Sequence, residues 1–293
     1  MKKAVYAVIG GDERYLLAAN YLSSLGDHVR IFGFDSGAIV DQSVTVSDSL
    51  FSAIHGADYI ILPLPCSIEK GLIHTPLYKD SISLDALFCH IKPNQIVFGG
   101  KLDTSFCAAL AEKNIICHDY AEREEFSILN AIPTAEGAIE IAIRELPFTL
   151  HGSNCLVIGY GRIAKVLCHS LAGLGAQVSA AARKESDRTW MQTFGYKPIH
   201  TKDLTEHISQ FQVIINTVPQ VLLTRDVLRQ IKQDALIIDL ASRPGGVDFE
   251  SAKELGLKVI WALSLPGKVA PQSAANIICK AIFNIIDESE VNA

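Results

Sequence analysis

The sequence predicts an α/β protein with two doubly wound parallel sheets that are joined by linker helices. Three observations predict this fold class. The chain has 293 residues, enough for about two domains. Short apolar runs alternate with helical segments of about ten residues, as in parallel sheets. The alternation pauses once, at residues 122–146, and then starts again.

The first half is predicted to form the first sheet. An apolar stripe at Leu16, Ala19, Tyr21 and Leu25, closed by Gly26, is typical of an amphipathic helix. Two prolines end the strand that starts at Tyr59. By the same criteria, strands are predicted at 4–10, 29–34, 59–65, 95–99 and 114–120, and helices at 15–25, 48–55, 83–91 and 104–113.

In the pause, two helical segments are predicted to meet at Pro133, with Thr134 as the cap of the second. Strands follow at 155–159, 177–182, 212–218, 235–240 and 258–263, with a helix at 162–174. A final amphipathic helix is predicted at about 272–287. We therefore expect four parts: an N-terminal α/β domain on the substrate side (1–121), linker helices (122–149), a second α/β domain (150–266), and a C-terminal helix that packs back on the first domain (267–293).

Composition excludes several classes of protein. A net charge of −6 without a basic stretch argues against a nucleic-acid partner, and 49% hydrophobic residues exclude a disordered chain. No segment is expected to enter a membrane, because the candidate run at 166–182 contains polar residues. The seven cysteines are odd in number and form no C-x-x-C pair, which favours free thiols in a reducing cytosol and no metal site.

The strongest motif is G-x-G-x-x-A, which follows a predicted strand and opens a helix. Gly159 permits a tight turn, Gly161 lets the backbone approach a pyrophosphate, and Ala164 allows close packing. The free N–H groups of the helix N-terminus would bind the phosphates. This context predicts a Rossmann dinucleotide-binding domain. The predicted contacts are Gly159, Tyr160, Gly161, Arg162 and Ile163; the alternative is an ordinary turn that needs glycine.

The end of the next strand bears on the choice of cofactor. An NAD site would have an acidic residue there for the ribose hydroxyl, whereas this strand is followed by Arg183 and Lys184. These cations suit a 2′-phosphate and favour NADP over NAD, unless both are solvated loop charges. Further cofactor contacts are expected where later strands end, at Asn216, Thr217, Val218, Pro219 and Asp239. For Asp239 the alternative interpretation is a structural role in capping or in a turn.

Cationic residues at other predicted strand ends indicate a small anionic substrate. Substrate binding is assigned to Arg14, Lys101, Arg243 and Lys268. Taken singly, each of these residues could instead have only a structural role. His118 is a tentative catalytic residue for proton transfer, although a single histidine on a strand is more often structural.

A family resemblance covers essentially the whole chain. Segments 10–14, 123–125, 130–137, 150–153, 159–164, 182–184 and 265–268 together resemble the family formed by the A subunit of bacterial dipicolinate synthase. The resemblance implies an NADP-linked oxidation, on a CH–CH or CH–NH bond, of dihydrodipicolinate or a hydrated precursor to pyridine-2,6-dicarboxylate. It also implies a flavoprotein-like B subunit as partner and a place in the mother-cell cytoplasm during sporulation. We further expect a homo-oligomer, a dimer.

Two alternatives remain open. One is another NAD(P)-dependent dehydrogenase of similar architecture, acting on 2-hydroxy acids or amino acids. The other is a nucleotide-binding regulatory or assembly subunit whose partner performs the chemistry. Production of NADPH by the purified chain alone separates the dehydrogenases from the regulatory subunit.

Overall fold

The structure is a computed structural model, and it describes residues 3–35, 40–69 and 71–291. Contacts divide the chain into two compact units. Unit 1 comprises Met1–Leu129 together with Ala270–Ala293, and unit 2 comprises Asn130–Val269. Unit 1 is thus built from two separate stretches of the chain.

Unit 1 contains six parallel strands: β1 (Val5–Ile9), β2 (His28–Phe32), β3 (Val44–Val46), β4 (Tyr59–Ile61), β5 (Ile96–Gly99) and β6 (Ile116–Asp119). Their order in the sheet is β3-β2-β1-β4-β5-β6. The helices are α1 (Glu13–Ser24), α2 (Leu50–Ile54), α3 (Leu84–His90) and α4 (Thr104–Glu112). This strand order is the one found in dinucleotide-binding folds.

Helix α1 forms because its first N–H groups are capped and one of its faces is apolar. The Asp12 side chain accepts a hydrogen bond from the backbone N–H of Arg14 at 3.1 Å, and Tyr15, Leu16 and Leu22 are buried. The last helix of the chain packs against α1 in the same apolar core and supplies Ile278 and Ile282. The two chain stretches of unit 1 therefore share one core.

One uninterrupted helix, α5 (Glu124–Glu145), spans the division between the units. The prediction that two helical segments meet at Pro133 with Thr134 as a cap is wrong. Proline has no N–H to donate, but the helix continues, and the Thr134 hydroxyl donates to the Asn130 carbonyl at 2.7 Å. Burial of Ala138 and Ala142 in the core of unit 2 holds the second half of α5 in place.

Unit 2 also contains six parallel strands: β7 (Asn154–Ile158), β8 (Gln177–Ala182), β9 (Lys197–His200), β10 (Val213–Asn216), β11 (Leu236–Asp239) and β12 (Lys258–Trp261). Their order is β12-β11-β10-β7-β8-β9, the same topology as in unit 1. The helices are α6 (Arg162–Gly173), α7 (Glu185–Thr193), α8 (Leu204–His207), α9 (Arg225–Leu228), α10 (Phe249–Glu254) and α11 (Leu265–Val269), and α12 (Pro271–Val291) returns to unit 1. The predicted fold class of two doubly wound parallel sheets is confirmed.

Two edge strands, β3 and β9, were not predicted from the sequence. Strand β3 has only three residues and two of them are exposed, so it has no alternating apolar pattern. Strand β9 contains Pro198, which a central strand would not tolerate but an edge strand does.

Helix α5 is the one helix in the described ranges that is long and apolar enough to cross a membrane. Half of its most apolar window is buried in the protein. Its buried residues Ala135, Ala138 and Ile141 belong to the core of unit 2. This is the pattern of a core helix, so length and composition alone do not indicate a membrane span here.

Candidate dinucleotide and anion sites

The turn between β7 and α6 has the backbone shape that its glycines predict. Gly159 has φ +103°, a region that favours glycine. A Cβ there would lie 2.3 Å from the Oγ1 of Thr217, which donates to the Ile158 carbonyl at 2.9 Å. Residue 159 must therefore be glycine for both backbone and packing reasons.

Gly161 is the N-cap of α6 and leaves open space at the helix N-terminus. No atom lies within 4 Å of the position of a Cβ on this residue. The helix has no side-chain cap, so no capping side chain competes with an anion at its N-terminus. Ala164 is fully buried and lets α6 approach the sheet. The turn fits the pyrophosphate of a dinucleotide.

The residues beside the two glycines differ in exposure. Tyr160 is 7% exposed, and the ammonium of Lys165 lies 5.7 Å from the centre of its ring. Arg162 is exposed and Ile163 is half-buried against the core of unit 2. Ligand contacts by Tyr160 and Ile163 would thus be through backbone N–H groups rather than side chains.

The end of β8 carries no carboxylate. Arg183 and Lys184 follow Ala182 and are both exposed. The sequence analysis did not single out Arg188, whose Nη1 donates to the carbonyls of Ala182 at 3.3 Å and Arg183 at 2.8 Å, and which pairs with Glu185. Arg188 thus holds the backbone at the strand end and leaves Arg183 to the solvent side. The sequence signal that could have identified Arg188 is its position as a basic residue on the next helix, five residues after Arg183.

Asn216 and Asp239 are joined to each other at the ends of β10 and β11. Both are completely buried, and the Asn216 amide donates to Asp239 Oδ1 at 2.8 Å and to the Val218 carbonyl at 2.9 Å. Asp239 also accepts bonds from the N–H groups of Ala241 and Gly246. The polar groups of Asn216 and Asp239 are thus bonded to other protein groups. In the segment that follows β10, Thr217 is half-buried and Pro219 is exposed.

The two cations assigned to substrate binding in unit 2 are exposed. Arg243 lies on the loop after β11 and Lys268 lies on the short helix α11. Neither side chain has a hydrogen-bond or ion-pair partner among the residues that the structure describes. Both are therefore available to an anion.

Arg14 in unit 1 is buried and already engaged. Its Nε lies 2.8 Å from Asp12 Oδ1, and its Nη2 lies 2.9 Å from Asp12 Oδ2 and 2.8 Å from the Leu64 carbonyl. Burial opposes the charge, but the Asp12 carboxylate raises the pKa of Arg14 on balance. The Nη1 group alone has no partner within the described ranges. Any substrate carboxylate would therefore meet an arginine whose position is fixed by Asp12.

Lys101 and His118 lie at or next to the carboxyl end of the sheet of unit 1. Lys101 is exposed and has φ 54°, directly after the glycines that end β5. His118 on β6 stacks on Phe98, with ring centres 5.7 Å apart. Burial, and secondarily the charge of Arg123, lowers the pKa of His118, so its imidazole is neutral at pH 7.

His118 also lines an open pocket of about 540 Å³. The pocket is further lined by Cys117, Asp119, Glu122, Arg123, Ile285, Glu288 and Ser289. Its arginine is engaged by Glu125 and Glu288. Acidic residues outnumber basic ones in this lining, which disfavours a dianion at this pocket.

Thiols and metal ligands were also considered as functional groups. All seven cysteines are free, and Cys66, Cys155, Cys168 and Cys279 are buried. Burial raises the pKa of Cys66, Cys168 and Cys279 to about 12, so these thiols are protonated and unreactive. Across the described ranges, no group of three or more His, Cys, Asp or Glu side chains is arranged to hold a metal ion.

Comparison with known proteins covers both units. Residues 5–121 match the family model for the N-terminal domain of the dipicolinate synthase A subunit. Residues 135–251 match the model for the NAD-binding domain of D-isomer specific 2-hydroxyacid dehydrogenases. The second match places a nicotinamide dinucleotide domain around the glycine turn.

Whole-chain similarity is found in Bacillus proteins. The A subunit of dipicolinate synthase from Bacillus subtilis is 33% identical, with 96% of this chain and 95% of the relative covered. The crystal structure of the same protein from this species has a TM-score of 0.87 at 30% identity and covers 100% of this chain and 99% of its own. The corresponding protein of Bacillus halodurans has a TM-score of 0.84 at 30% identity, with 97% of each chain covered.

Proposed function

The chain belongs to the family of the dipicolinate synthase A subunit, and we propose that it catalyses the NADP-dependent oxidation of dihydrodipicolinate, or a hydrated precursor, to dipicolinate during spore formation. The observation that carries this proposal is the similarity of both units, over nearly the whole chain, to that family. A dinucleotide cofactor is supported independently by the open helix N-terminus at Gly161, which leaves room for a pyrophosphate.

The choice of NADP over NAD rests on the end of β8. When bound, the oxidised nicotinamide ring of the cofactor accepts a hydride. The 2′-phosphate at its other end would bind Arg183, which is exposed and has no carboxylate neighbour on the strand. Lys184 adds a second positive charge. Gly159, Gly161 and the N–H groups of α6 would hold the pyrophosphate.

Substrate binding is proposed for cations on both units. The product carries two carboxylates, and each needs a set of N–H donors. Arg243 and Lys268 are exposed in unit 2, and Lys101 is exposed in unit 1. Arg14 offers one free Nη group and a position fixed by Asp12. These four residues are the proposed carboxylate-binding groups.

His118 is the proposed proton acceptor. Oxidation of the dihydro ring releases one proton in addition to the hydride, and a neutral imidazole is able to take it up. The lowered pKa keeps His118 neutral at pH 7. Because the acidic lining of its pocket repels carboxylates, this role requires that the carboxylates of the substrate are held outside the pocket, by the cations named above.

The proposal includes partners and a cellular setting. The relatives carry the name of an A subunit, which implies a second component, and we propose that this chain also assembles with a B subunit. A homo-oligomer, and action in the mother-cell cytoplasm, complete the proposal.

A second candidate function is the oxidation of a 2-hydroxy acid. It is favoured by the match of residues 135–251 to the 2-hydroxyacid dehydrogenase model. That model covers only the cofactor domain, whereas the match at residues 5–121 is to the dipicolinate synthase N-terminal domain. Dipicolinate synthesis is therefore the better-supported function.

The test is an assay of the purified chain, with and without the proposed partner. The dihydro precursor and NADP are supplied, and both dipicolinate and NADPH are measured. A panel of 2-hydroxy acids and amino acids is run in parallel. Stoichiometric dipicolinate and NADPH support the proposal. Oxidation of a 2-hydroxy acid with no dipicolinate formed, even with the partner present, overturns it.

A further inference from the structure

The loop that follows β11, residues 241–246, has buried ends and an exposed tip. Ala241, Gly245 and Gly246 are buried, whereas Ser242, Arg243 and Pro244 are exposed. A loop held at both ends presents its middle residues in a defined place. Arg243 is the charged residue at that place.

Asp239 holds both ends of this loop. Its Oδ1 accepts a hydrogen bond from the N–H of Ala241 at 3.0 Å, and its Oδ2 accepts one from the N–H of Gly246 at 2.8 Å. The Asn216 amide donates a third bond to Oδ1 at 2.8 Å. A completely buried carboxylate is thus satisfied by N–H donors alone, as a buried charge requires.

Two neighbouring elements reinforce this arrangement. The indole Nε1 of Trp261 donates to the Ala241 carbonyl at 2.8 Å. The carbonyl of Gly246 accepts bonds from the N–H groups of Leu222 and Leu223, each at 3.1 Å. A Cβ on Gly246 would lie 2.0 Å from the Asn216 amide nitrogen, so the loop cannot move closer to β10 or bear a side chain there.

The loop lies at the same edge of the sheet as the phosphate turn. Strand β11 pairs with β10, which pairs with β7. At about 4.8 Å per strand, the end of β11 lies roughly 10 Å across the sheet from the end of β7, where the glycine turn begins. This places Arg243 near the ligands that bind beyond the carboxyl ends of these strands.

We propose that Asp239 is a positioning residue that presets the Arg243 guanidinium to bind one carboxylate of the substrate. The inference rests on the proposed function, because it takes the substrate to be a dicarboxylate. The Asp239 carboxylate accepts hydrogen bonds from two backbone N–H groups and the Asn216 amide, and it does not pair with Arg243. The guanidinium charge of Arg243 is therefore available to a ligand. A loop fixed before binding loses less conformational entropy when the anion arrives.

A positioning role and a simple charge effect of Asp239 predict different changes in the affinity for a dianion. If Asp239 acted only as a nearby negative charge, its neutralisation would strengthen the binding of a dianion. If it positions Arg243, the change to asparagine weakens binding, because an amide NH₂ group would face the N–H of Gly246 or of Ala241 and release the loop. The two accounts therefore predict opposite changes in affinity.

The experiment is a double-mutant cycle on the whole chain, read by calorimetric titration with dipicolinate and, separately, with NADPH. Arg243→Ala is expected to weaken dipicolinate binding about tenfold or more. Asp239→Asn is expected to weaken it roughly fivefold, and the double variant no more than Arg243→Ala alone. NADPH affinity stays within about twofold throughout. Asp248→Asn and Arg229→Ala are matched controls elsewhere in unit 2.

Three results overturn the inference. One is a stronger affinity of Asp239→Asn for dipicolinate, another is additive losses in the double variant, and the third is equal losses for dipicolinate and NADPH. If Asp239→Asn does not fold, Trp261→Phe releases the loop at Ala241, and an unchanged dipicolinate affinity of that variant counts against the inference. Failure of the wild-type chain to bind dipicolinate at all would instead contradict the proposed function.

Discussion

The hydroxyls of Tyr15 and Tyr120 lie 2.6 Å apart, and both side chains are completely buried. Tyr120 also donates to the Leu62 carbonyl at 3.1 Å, so the Tyr15 hydroxyl donates to that of Tyr120. This chain of hydrogen bonds joins α1 to the segments that follow β4 and β6. Burial raises the pKa of both phenols well above the ordinary value, which keeps the pair neutral.

The change Tyr120→Phe is expected to destabilise the protein by about 1–3 kcal/mol, because the buried Tyr15 hydroxyl loses its acceptor. The free energy of unfolding in urea measures the effect. Tyr78→Phe, at a half-buried ring that packs on Phe32, is the control. Equal stability of Tyr120→Phe and the wild type would show that the hydroxyl pair contributes nothing.

Gly161→Val is expected to abolish NADPH binding and leave the fold intact. Gly161 has φ −81°, which valine tolerates, and the space around its would-be Cβ is open, so the new side chain meets the pyrophosphate and not the protein. Calorimetric titration measures binding. Gly173→Val, which also enters open space at the other end of α6, is the matched control. Retained affinity in Gly161→Val would contradict the placement of the phosphates.

Arg183→Ala is expected to weaken NADP binding about ten- to a hundredfold, the value of one charge-assisted hydrogen bond, and to change NAD binding little. Separate titrations with the two cofactors give the comparison. Arg229→Ala, another exposed arginine of unit 2, serves as the control. Equal losses for both cofactors would show that Arg183 does not bind the 2′-phosphate.

Arg14→Ala is expected to raise the KM for the dicarboxylate substrate about tenfold and to leave NADP affinity unchanged, because the cofactor turn lies in the other unit. Steady-state kinetics together with NADPH titration test this. Arg30→Ala, on β2 of the same unit, is the control. Unchanged kinetics of Arg14→Ala would show that other residues bind the carboxylates of the substrate. Lys101 and Arg243 would then be tested next.

Stability is expected to fall as the pH drops below about 6.5, the ordinary pKa of histidine. Burial lowers the pKa of both His74 and His118 in the folded state, so the unfolded chain binds protons first as the pH falls. Proton binding stabilises the unfolded state relative to the native state, and the free energy of unfolding decreases. The lowered pKa values of Glu125 and Glu288 start from 4.5 and act only at more acidic pH.

His118→Phe keeps the stack on Phe98 and removes one of these titrations. Its Tm should decrease less than that of the wild type between about pH 8 and about pH 5.5. His28→Phe, at an exposed position on β2, is the control. The same decrease in Tm for His118→Phe and the wild type would contradict the prediction. In the oxidation assay, the variant should also lose activity if His118 accepts the proton.

Sequence patterns predicted the parallel sheets and the phosphate turn because both depend on local signals. The turn needs two glycines and a small residue at fixed spacing, and the structure shows why at Gly159 and Gly161. Edge strand β9 gave no such signal, since Pro198 and exposed residues do not produce an apolar pattern. Pro133 gave a misleading one, because tertiary packing of α5 outweighs the loss of a single hydrogen bond.

The role of side chains at the candidate site was less predictable. Asp239 has the sequence position of a ligand-binding residue, but its carboxylate bonds to an amide 23 residues away and to two backbone N–H groups. Arg14 similarly pairs with Asp12 at two atoms. Strand periodicity shows which residues lie at an edge and does not show which of them bond to each other.

The split composition of unit 1 has a consequence for synthesis on the ribosome. Its core includes Ile278, Ile282 and Ile285, which are translated after the whole of unit 2. Domains that are continuous in sequence fold as they emerge, beginning with the N-terminal one. Here the order is reversed: unit 2 has all its residues first, and the earliest part of the chain keeps apolar surface exposed until the last helix emerges. A nascent chain that stops near residue 270 would hold a complete cofactor unit and an open N-terminal sheet.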